Sequence, residues 1–409
     1  MKLWMICWRF PIVIEVIVGT EFEELLRQGI DGFLMPMQNS HVLESVTKIP
    51  PERVKYLVEW PLSRLEQFRW ILRVARQRPW GFLKCMRRVM TLVGHDARGA
   101  CVSTLCVLKK VQFDASPDHI HAHFGGHLTH VASLLALYYG CSWSVSVHAK
   151  DIYQTPQNLC VDFQGVAFVR TISEHGHEWV RRYCPNLTVD QLPVIRVSVD
   201  TEKIQPRYRS DHQQLRLLSI GRLVPKKGHD LLIRACAQLR ERGHQFSCTI
   251  IGEGPEHQKL DALVHALNLS AQVYLMGATV RDRVLDEIAQ SDIVVLACRQ
   301  AADGDQDGTP LVLVEAMAMG KPVIAGRAGG VAEVVTQGGV LIEPDDLDGL
   351  VIALERFLSM SAEERCQIGM AGRALVEESF CLQKNTAKLA TRFRQISDHS
   401  TRSTNLNWA

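Results

Sequence analysis

Short apolar runs rich in β-branched residues recur through the C-terminal half of the chain, at 215–220, 248–251, 273–276, 293–297 and 323–325. Stretches long enough for a helix separate them. Unbroken apolar runs mark strands buried on both faces, and helix-length spacers mark the crossovers of a parallel sheet. The pattern predicts an α/β unit. The N-terminal half reads the same way with less regularity. Its expected strands lie at 4–7, 119–121, 143–147 and 166–172, and its helices at 22–28, 62–77, 81–93 and 130–139. A last strand is expected at 193–199, followed by a polar linker at 200–214. Helices at 362–378 and 384–396 close the chain.

With 409 residues the chain exceeds what one core holds, so two domains of roughly 200 residues are expected. The pattern divides it into a domain at 1–205, a second at 206–380, a closing helix at 381–398 and a polar, disordered tail at 399–409. The hydrophobic and charged fractions of 46% and 22% are those of a soluble globular protein. A net charge of +2 gives no reason to expect nucleic acid. Twelve cysteines without a C-x-x-C pair, several inside apolar runs, fit buried thiols of a reducing cytoplasm better than a disulfide framework. Arg9 and Glu15 interrupt the apolar start of the chain, which reads as a first buried strand rather than a signal peptide. No uncharged apolar run reaches the length of a membrane span.

In a parallel α/β sheet, ligands bind outside the carboxyl ends of the strands. Gly221, Arg222, Lys226, Lys227 and Gly228 follow the first strand of the C-terminal half. Asp307 and Glu315 follow its fourth, and Gly329 and Gly330 its fifth. Glycine lets the backbone come close to a ligand, the Arg222 fork matches phosphate, and Lys227 adds a compact charge. A solvated basic turn is the plainer alternative. The Asp303–Asp307 stretch resembles the start of a calcium loop, yet the required Glu would fall at 314, which is Val. A loop entering a helix at Gly308, Thr309, Pro310 and Leu311 reads better, because Pro favours the first turn and a helix start presents free amides to a diphosphate. Glu315 lies in an apolar stretch of that helix. A buried carboxylate needs partners, and either ribose hydroxyls or a buried arginine would serve.

The N-terminal half places His121, His123, His127 and His130 within ten residues. No cysteine or carboxylate completes a zinc set nearby, so no metal is expected. His123 with Gly125 and Gly126 at a strand end could line an acceptor pocket instead. His148 and Asp151 also follow a strand, and capping a helix is the alternative for Asp151. Gly252 and Gly254 lack the third glycine of a dinucleotide fingerprint.

Together these residues resemble the retaining glycosyltransferases of family 4, whose GT-B architecture has two facing Rossmann-like domains with parallel sheets and a cleft between them. The resemblance runs from Phe10 and Pro11 to about Ile396 and is densest over 215–335. It implies that Arg222 and Lys227 bind phosphate. The acidic pair of the family falls on Asp307, where the usual residue is Glu, and on Glu315. It further implies that Asp307 faces the donor sugar, that Glu315 binds the ribose and that His148 lies near the sugar. Phe10 with Pro11, the His121–Phe124 run and the segment from His148 to Tyr153 look closest to the colanic-acid and exopolysaccharide branch. After Phe10 and Pro11 that branch often continues Ser-Glu-Thr-Phe, and here only Glu15 matches.

The resemblance implies hexosyl transfer, with retention, from a nucleotide-diphosphate sugar to a glycan or lipid-linked oligosaccharide acceptor. No cofactor or metal is required, and the departing phosphate itself takes the acceptor proton. The catalytic set would be Arg222, Lys227, His148 and Asp307. Donor contacts would come from Gly221, Arg222, Lys227, Glu315 and residues 307–311. A GT-B sugar-nucleotide epimerase and a non-catalytic sugar-nucleotide binder are the rival readings. Residues 69–88 carry seven cations and no acid, interleaved with Trp70, Trp80 and Phe82. An anionic membrane surface at the cytoplasmic leaflet is one partner that suits them. A solvated helical face is the alternative.

Overall fold

The computed structural model describes residues 1–10, 16–39, 48–57, 63–92, 97–111, 116–207 and 214–403. Pro11 and the following residues through Glu15, the 208–213 part of the linker and 404–409 of the tail lie outside them. Two compact units emerge. One comprises residues 1–172, 177–195 and 386–409, the other 173–176 and 196–385.

The first unit is built on five parallel strands: β1 (Lys2–Phe10), β2 (Asp31–Asn39), β3 (His119–His123), β4 (Ser142–Ser146) and β5 (Phe168–Arg170). They run in the order β2-β1-β3-β4-β5, a doubly wound order whose switch point falls between β1 and β3. Around them stand α1 (Val16–Arg27), α2 (Arg64–Gln77), α3 (Pro79–Thr91), α4 (Ala97–Val111), α5 (His127–Tyr139), α6 (Ala149–Tyr153) and α7 (Leu159–Asp162). α8 (Glu174–Tyr183) begins in the second unit and continues in the first. Strand β2 is absent from the sequence expectation because Pro36 interrupts its apolar run. The structure tolerates that proline because β2 is an edge strand, where a missing amide costs no ladder bond on the open side. Helix α4 also escapes the pattern, since it is buried along most of its length and shows little amphipathic period.

The second unit has six parallel strands: β6 (Leu215–Ile220), β7 (Phe246–Ile251), β8 (Val273–Gly277), β9 (Ile293–Leu296), β10 (Val323–Gly326) and β11 (Gly339–Ile342). Their order is β11-β10-β9-β6-β7-β8. This is the Rossmann order, with its switch point between β6 and β9. The helices are α9 (His229–Glu241), α10 (His257–Ala266), α11 (Arg281–Gln290), α12 (Leu311–Ala318), α13 (Val331–Val334), α14 (Leu347–Ser359), α15 (Ala362–Ser379) and α16 (Leu382–Ser403). The five strands expected here are all present, and β11 is added at the edge. The strand expected at 193–199 is not formed. Its residues make only single bridges, Val194 to Thr171 and Val199 to Cys381.

Helix α16 starts in the second unit, but most of it belongs to the first. Leu389, Ala390 and Phe393 are fully buried there among Leu3, Met5 and Phe168, each apolar side chain contributing roughly 1.5–3 kcal/mol. The helix runs on to Ser403, into the stretch expected as a polar tail. All twelve cysteines are unbridged, and Cys7, Cys236, Cys248 and Cys298 are buried as expected, while Cys141 is half-buried.

Candidate functional site

In the second unit the polar residues collect at the carboxyl ends of β6 and β9, the switch point of the sheet. Two glycines bring the loops together. Gly228 has φ +66, and a Cβ there would lie 1.9 Å from the Ala297 carbonyl oxygen. Gly252 has φ +148, and a Cβ there would lie 1.9 Å from the Gly221 oxygen. The Gly252 and Gly254 pair thus serves the packing of the loop after β7 onto the loop after β6. A side chain at either tight position would force the loops apart.

Lys227 sits on this floor with its Nζ 2.8 Å from Asp307 Oδ2. Lys226 lies 3.6 Å from Asp307 Oδ1 and 3.0 Å from Asp305 Oδ1. Burial opposes the charge on Lys227, but Asp307 outweighs it and holds the ammonium above its ordinary pKa. Burial likewise pushes Asp307 up, and the two lysines more than offset this, so its carboxyl stays below the usual range. Both groups are charged. Cys298 donates its thiol proton to Asp307 Oδ2 at 3.3 Å. Burial raises that thiol far above its ordinary pKa and keeps it a donor. Arg222 is exposed, and no ion pair to it is found among the described residues.

Helix α12 begins at Leu311, with Pro310 flanking it, slightly later than expected from Gly308. The Leu313 amide donates to the Pro310 oxygen at 3.1 Å, and the amides of Leu311 and Val312 before it have no acceptor one turn back within the helix. Glu315, one turn in, is buried and its Oε1 lies 2.7 Å from Arg281 Nη2 at the start of α11. Burial raises its pKa more than Arg281 lowers it. Of the two alternatives, an arginine is the partner observed, although Arg281 is half-buried rather than buried. The loop after β10 supports the same backbone: the Gly330 amide donates to the Asp307 oxygen at 3.0 Å. Two residues past α13's start, Glu333 accepts from the Glu174 and His175 amides at 2.8 and 2.7 Å and meets Arg196 at 3.1 Å. No local pattern pointed to Glu333 or Arg281, because their partners lie far away along the chain, and none pointed to the Cys298 thiol as a donor to Asp307.

In the first unit, His123 closes β3 beside the switch point of its own sheet. Its Nε2 is 3.0 Å from Glu21 Oε1, and Glu21 Oε2 accepts from Arg170 Nη1 at 2.5 Å. Burial pushes Glu21 up, but Arg170 and His123 bring it down to about 2. Phe124 adopts φ +79, a conformation that strains a bulky residue by about 1–3 kcal/mol. Its ring centre lies 4.6 Å from that of His148. Burial lowers His148 to about 3, so the ring is neutral. Its Nε2 is sealed from solvent and has no hydrogen-bond partner among the described residues. Asp151 accepts from the His148 amide at 2.8 Å, which is the capping role. Gly125 packs against Asp151, and Gly126 starts α5 with φ +65. The other histidines have separate partners. His121 bonds Ser144 and Ser146, His127 bonds Ser103, and His130 bonds Asp162.

Residues 200–375 match the family described as Glycosyl transferases group 1. The chain is 24% identical over 416 residues to the "Putative colanic acid biosynthesis glycosyltransferase WcaL" of Escherichia coli, covering 96% of this chain and 99% of that one. It is 33% identical over 207 residues to the "Amylovoran biosynthesis glycosyltransferase AmsK" of Erwinia amylovora, half of each chain. Among solved structures, a sucrose-phosphate synthase of Thermosynechococcus elongatus superposes with a TM-score of 0.73 at 17% identity, covering 97% of this chain and 99% of that one.

Proposed function

Because this chain is a glycosyltransferase with a group 1 domain and the GT-B fold, we propose that it moves a hexose from a nucleotide-diphosphate sugar to a glycan acceptor in the synthesis of an extracellular or cell-surface polysaccharide. The observation that carries this reading is the Lys227–Asp307 ion pair beside the β6/β9 switch point, with Arg222 in the loop after β6 and Glu315 in the helix that follows β9. Cations for a diphosphate and carboxylates for sugar and ribose hydroxyls are what such a donor needs.

In this account Arg222 and Lys227 stabilise the charge that grows on the leaving diphosphate, and the α12 amides add to it. Glu315 accepts from the ribose while Arg281 holds its other side. Asp307 contacts the donor sugar. The stereochemistry is retained, and the departing phosphate oxygen takes the acceptor proton, so no separate base is assigned. His148, neutral and with an unpartnered Nε2, donates to or accepts from a hydroxyl of the reacting sugar. His123, Gly125 and Gly126 line the acceptor side. Two of the relatives are named as glycosyltransferases of colanic acid and amylovoran biosynthesis, and a lipid-linked acceptor at the inner membrane face fits that setting. The basic segment 69–88 would then rest on that surface. No helix among the described residues is long and apolar enough to cross a membrane.

The experiment is a thermal-shift screen with nucleoside diphosphates and their sugars, followed by assay of diphosphate release with acceptor. A rise in melting temperature with one nucleotide class and acceptor-dependent release support transfer. Isomerised donor without acceptor would instead identify an epimerase, and binding without turnover a non-catalytic protein.

A further inference from the structure

Helices α2, α3, α4 and α5 of the first unit enclose an apolar cavity of about 130 Å³. Ile71, Phe82, Met86, Leu105 and Tyr138 are among the side chains that line it. Ile71 and Met86 are also each 38% exposed, so the cavity opens onto the outer face of α2 and α3. That face is unusually apolar. Leu65, Phe68 and Leu72 form a stripe on α2, and Trp80, Leu83 and Met90 form one on α3, with exposures from 44% to 77%. Residues three and four apart share one helix face, so the α2 set is a continuous strip, and Met86 joins Leu83 to Met90 in the α3 strip. Arg69, Arg76, Lys84 and Arg87 stand exposed among them. The acid of this region, Glu66, is tied into the start of α2 by Ser63 and Lys109. Contiguous exposed apolar residues on a soluble surface mark interaction sites, and an apolar-walled pocket of about this size takes up apolar ligands.

We propose that this cavity receives a hydrocarbon chain of an anionic lipid, drawn in from a membrane surface on which the α2 and α3 face rests. The inference builds on the membrane reading given above and adds a site to it. Cations around the mouth suit a phosphate head, and the walls suit the chain. The cavity also reaches α5 at Leu134, seven residues past His127 at the start of that helix. The rise per residue puts this roughly 10 Å along α5 from the His123 to Gly126 turn.

The test is calorimetry of the full chain with dihexanoyl phosphatidylglycerol below its micelle concentration. Controls are glycerol phosphate, which has no chain, and dihexanoyl phosphatidylcholine, which has no net charge. The phosphatidylglycerol binds the wild type, and each control binds at least about tenfold more weakly. Filling the cavity by Cys101→Phe, or at the mouth by Met86→Trp should the first fail to fold, weakens binding by a similar factor. Flotation with phosphatidylglycerol vesicles separates the two readings. Vesicle binding unaffected by either filled variant, with no short-chain binding, would overturn the cavity proposal and leave membrane docking standing. Equal binding of phosphatidylcholine, or a stable dimer that buries the α2 and α3 face and excludes lipid, would also overturn it. Sugar transfer is not measured, so a failed donor assay does not bear on the outcome.

Discussion

Lys227 Nζ lies 2.8 Å from Asp307 Oδ2, which makes one ion pair of the cation assigned to phosphate and the carboxylate assigned to sugar. A diphosphate that recruits Lys227 must share it with Asp307, so each group positions the other. Lys227→Ala should lower turnover by about 10²–10³, the loss seen when one donor to a developing anion is removed. Lys226 remains 3.6 Å from Asp307. Unfolding stability should therefore fall by less than the about 3–5 kcal/mol expected for an abandoned buried charge. Steady-state kinetics with denaturant titration reads both, and a near wild-type rate removes Lys227 from the mechanism.

Asp307→Glu reaches one methylene further toward the sugar and restores the residue usual in the resembling family. Donor preference should shift if the shorter side chain is fitted to one sugar, and the rate on the native donor should hold or rise otherwise. Competition between labelled donors distinguishes these. Loss of nucleotide binding together with all activity would show that the loop does something else.

Glu315→Gln replaces charge-assisted hydrogen bonds by neutral ones, a change of about 1–2 kcal/mol. Affinity for the bare nucleoside diphosphate should fall roughly five- to thirty-fold by calorimetry, since each 1.4 kcal/mol is tenfold. Unchanged affinity would mean that Glu315 serves only Arg281, whose Nη2 lies 2.7 Å from it.

Stability should fall on acidification. His119 and His148 drop from 6.5 to about 3 through burial. Above pH 6.5 they are neutral in both states. Between 6.5 and 3 the unfolded chain takes up protons that the folded chain refuses, so stability is lost, at up to about 1.4 kcal/mol per pH unit for each. Glu21, lowered from 4.5 to about 2, adds to the loss as pH falls from 4.5 toward 2. Asp151, raised from 3.8 to about 6 by burial, acts the other way between those values. Thermal unfolding from pH 7 to 4 should show the net decline, and His119→Gln should flatten it. A flat wild-type profile would contradict the buried neutral histidines.

The apolar runs of the second unit named β6 to β10 in the sequence: β6, β7, β9 and β10 are mostly buried and advertise themselves by composition, and the edge strand β8 keeps an apolar run although it is partly exposed. β2 was hidden by Pro36, and α4 by burial around its whole circumference. At the site, Arg222, Lys227, Asp307 and Glu315 could be read from their places after strands. Arg281, Glu333 and the Glu21 and Arg170 pair could not. Their roles exist only through partners such as His123, which is 102 positions from Glu21, and no local pattern encodes such a meeting. The Glu315 case shows the converse: the residue was visible, and its choice between ribose and arginine was not.

Transfer from a sugar nucleotide through the charges at the β6/β9 switch point is tested by the release of nucleoside diphosphate from a panel of uridine and guanosine diphosphate hexoses, measured with a lipid-linked glycan acceptor for the wild type and Lys227→Ala. The expected result is acceptor-dependent release from one donor class, a product that keeps the donor's anomeric configuration, and a rate lower by about 10²–10³ in the variant. Inverted product, or release that is independent of acceptor and untouched by the loss of Lys227, would contradict it.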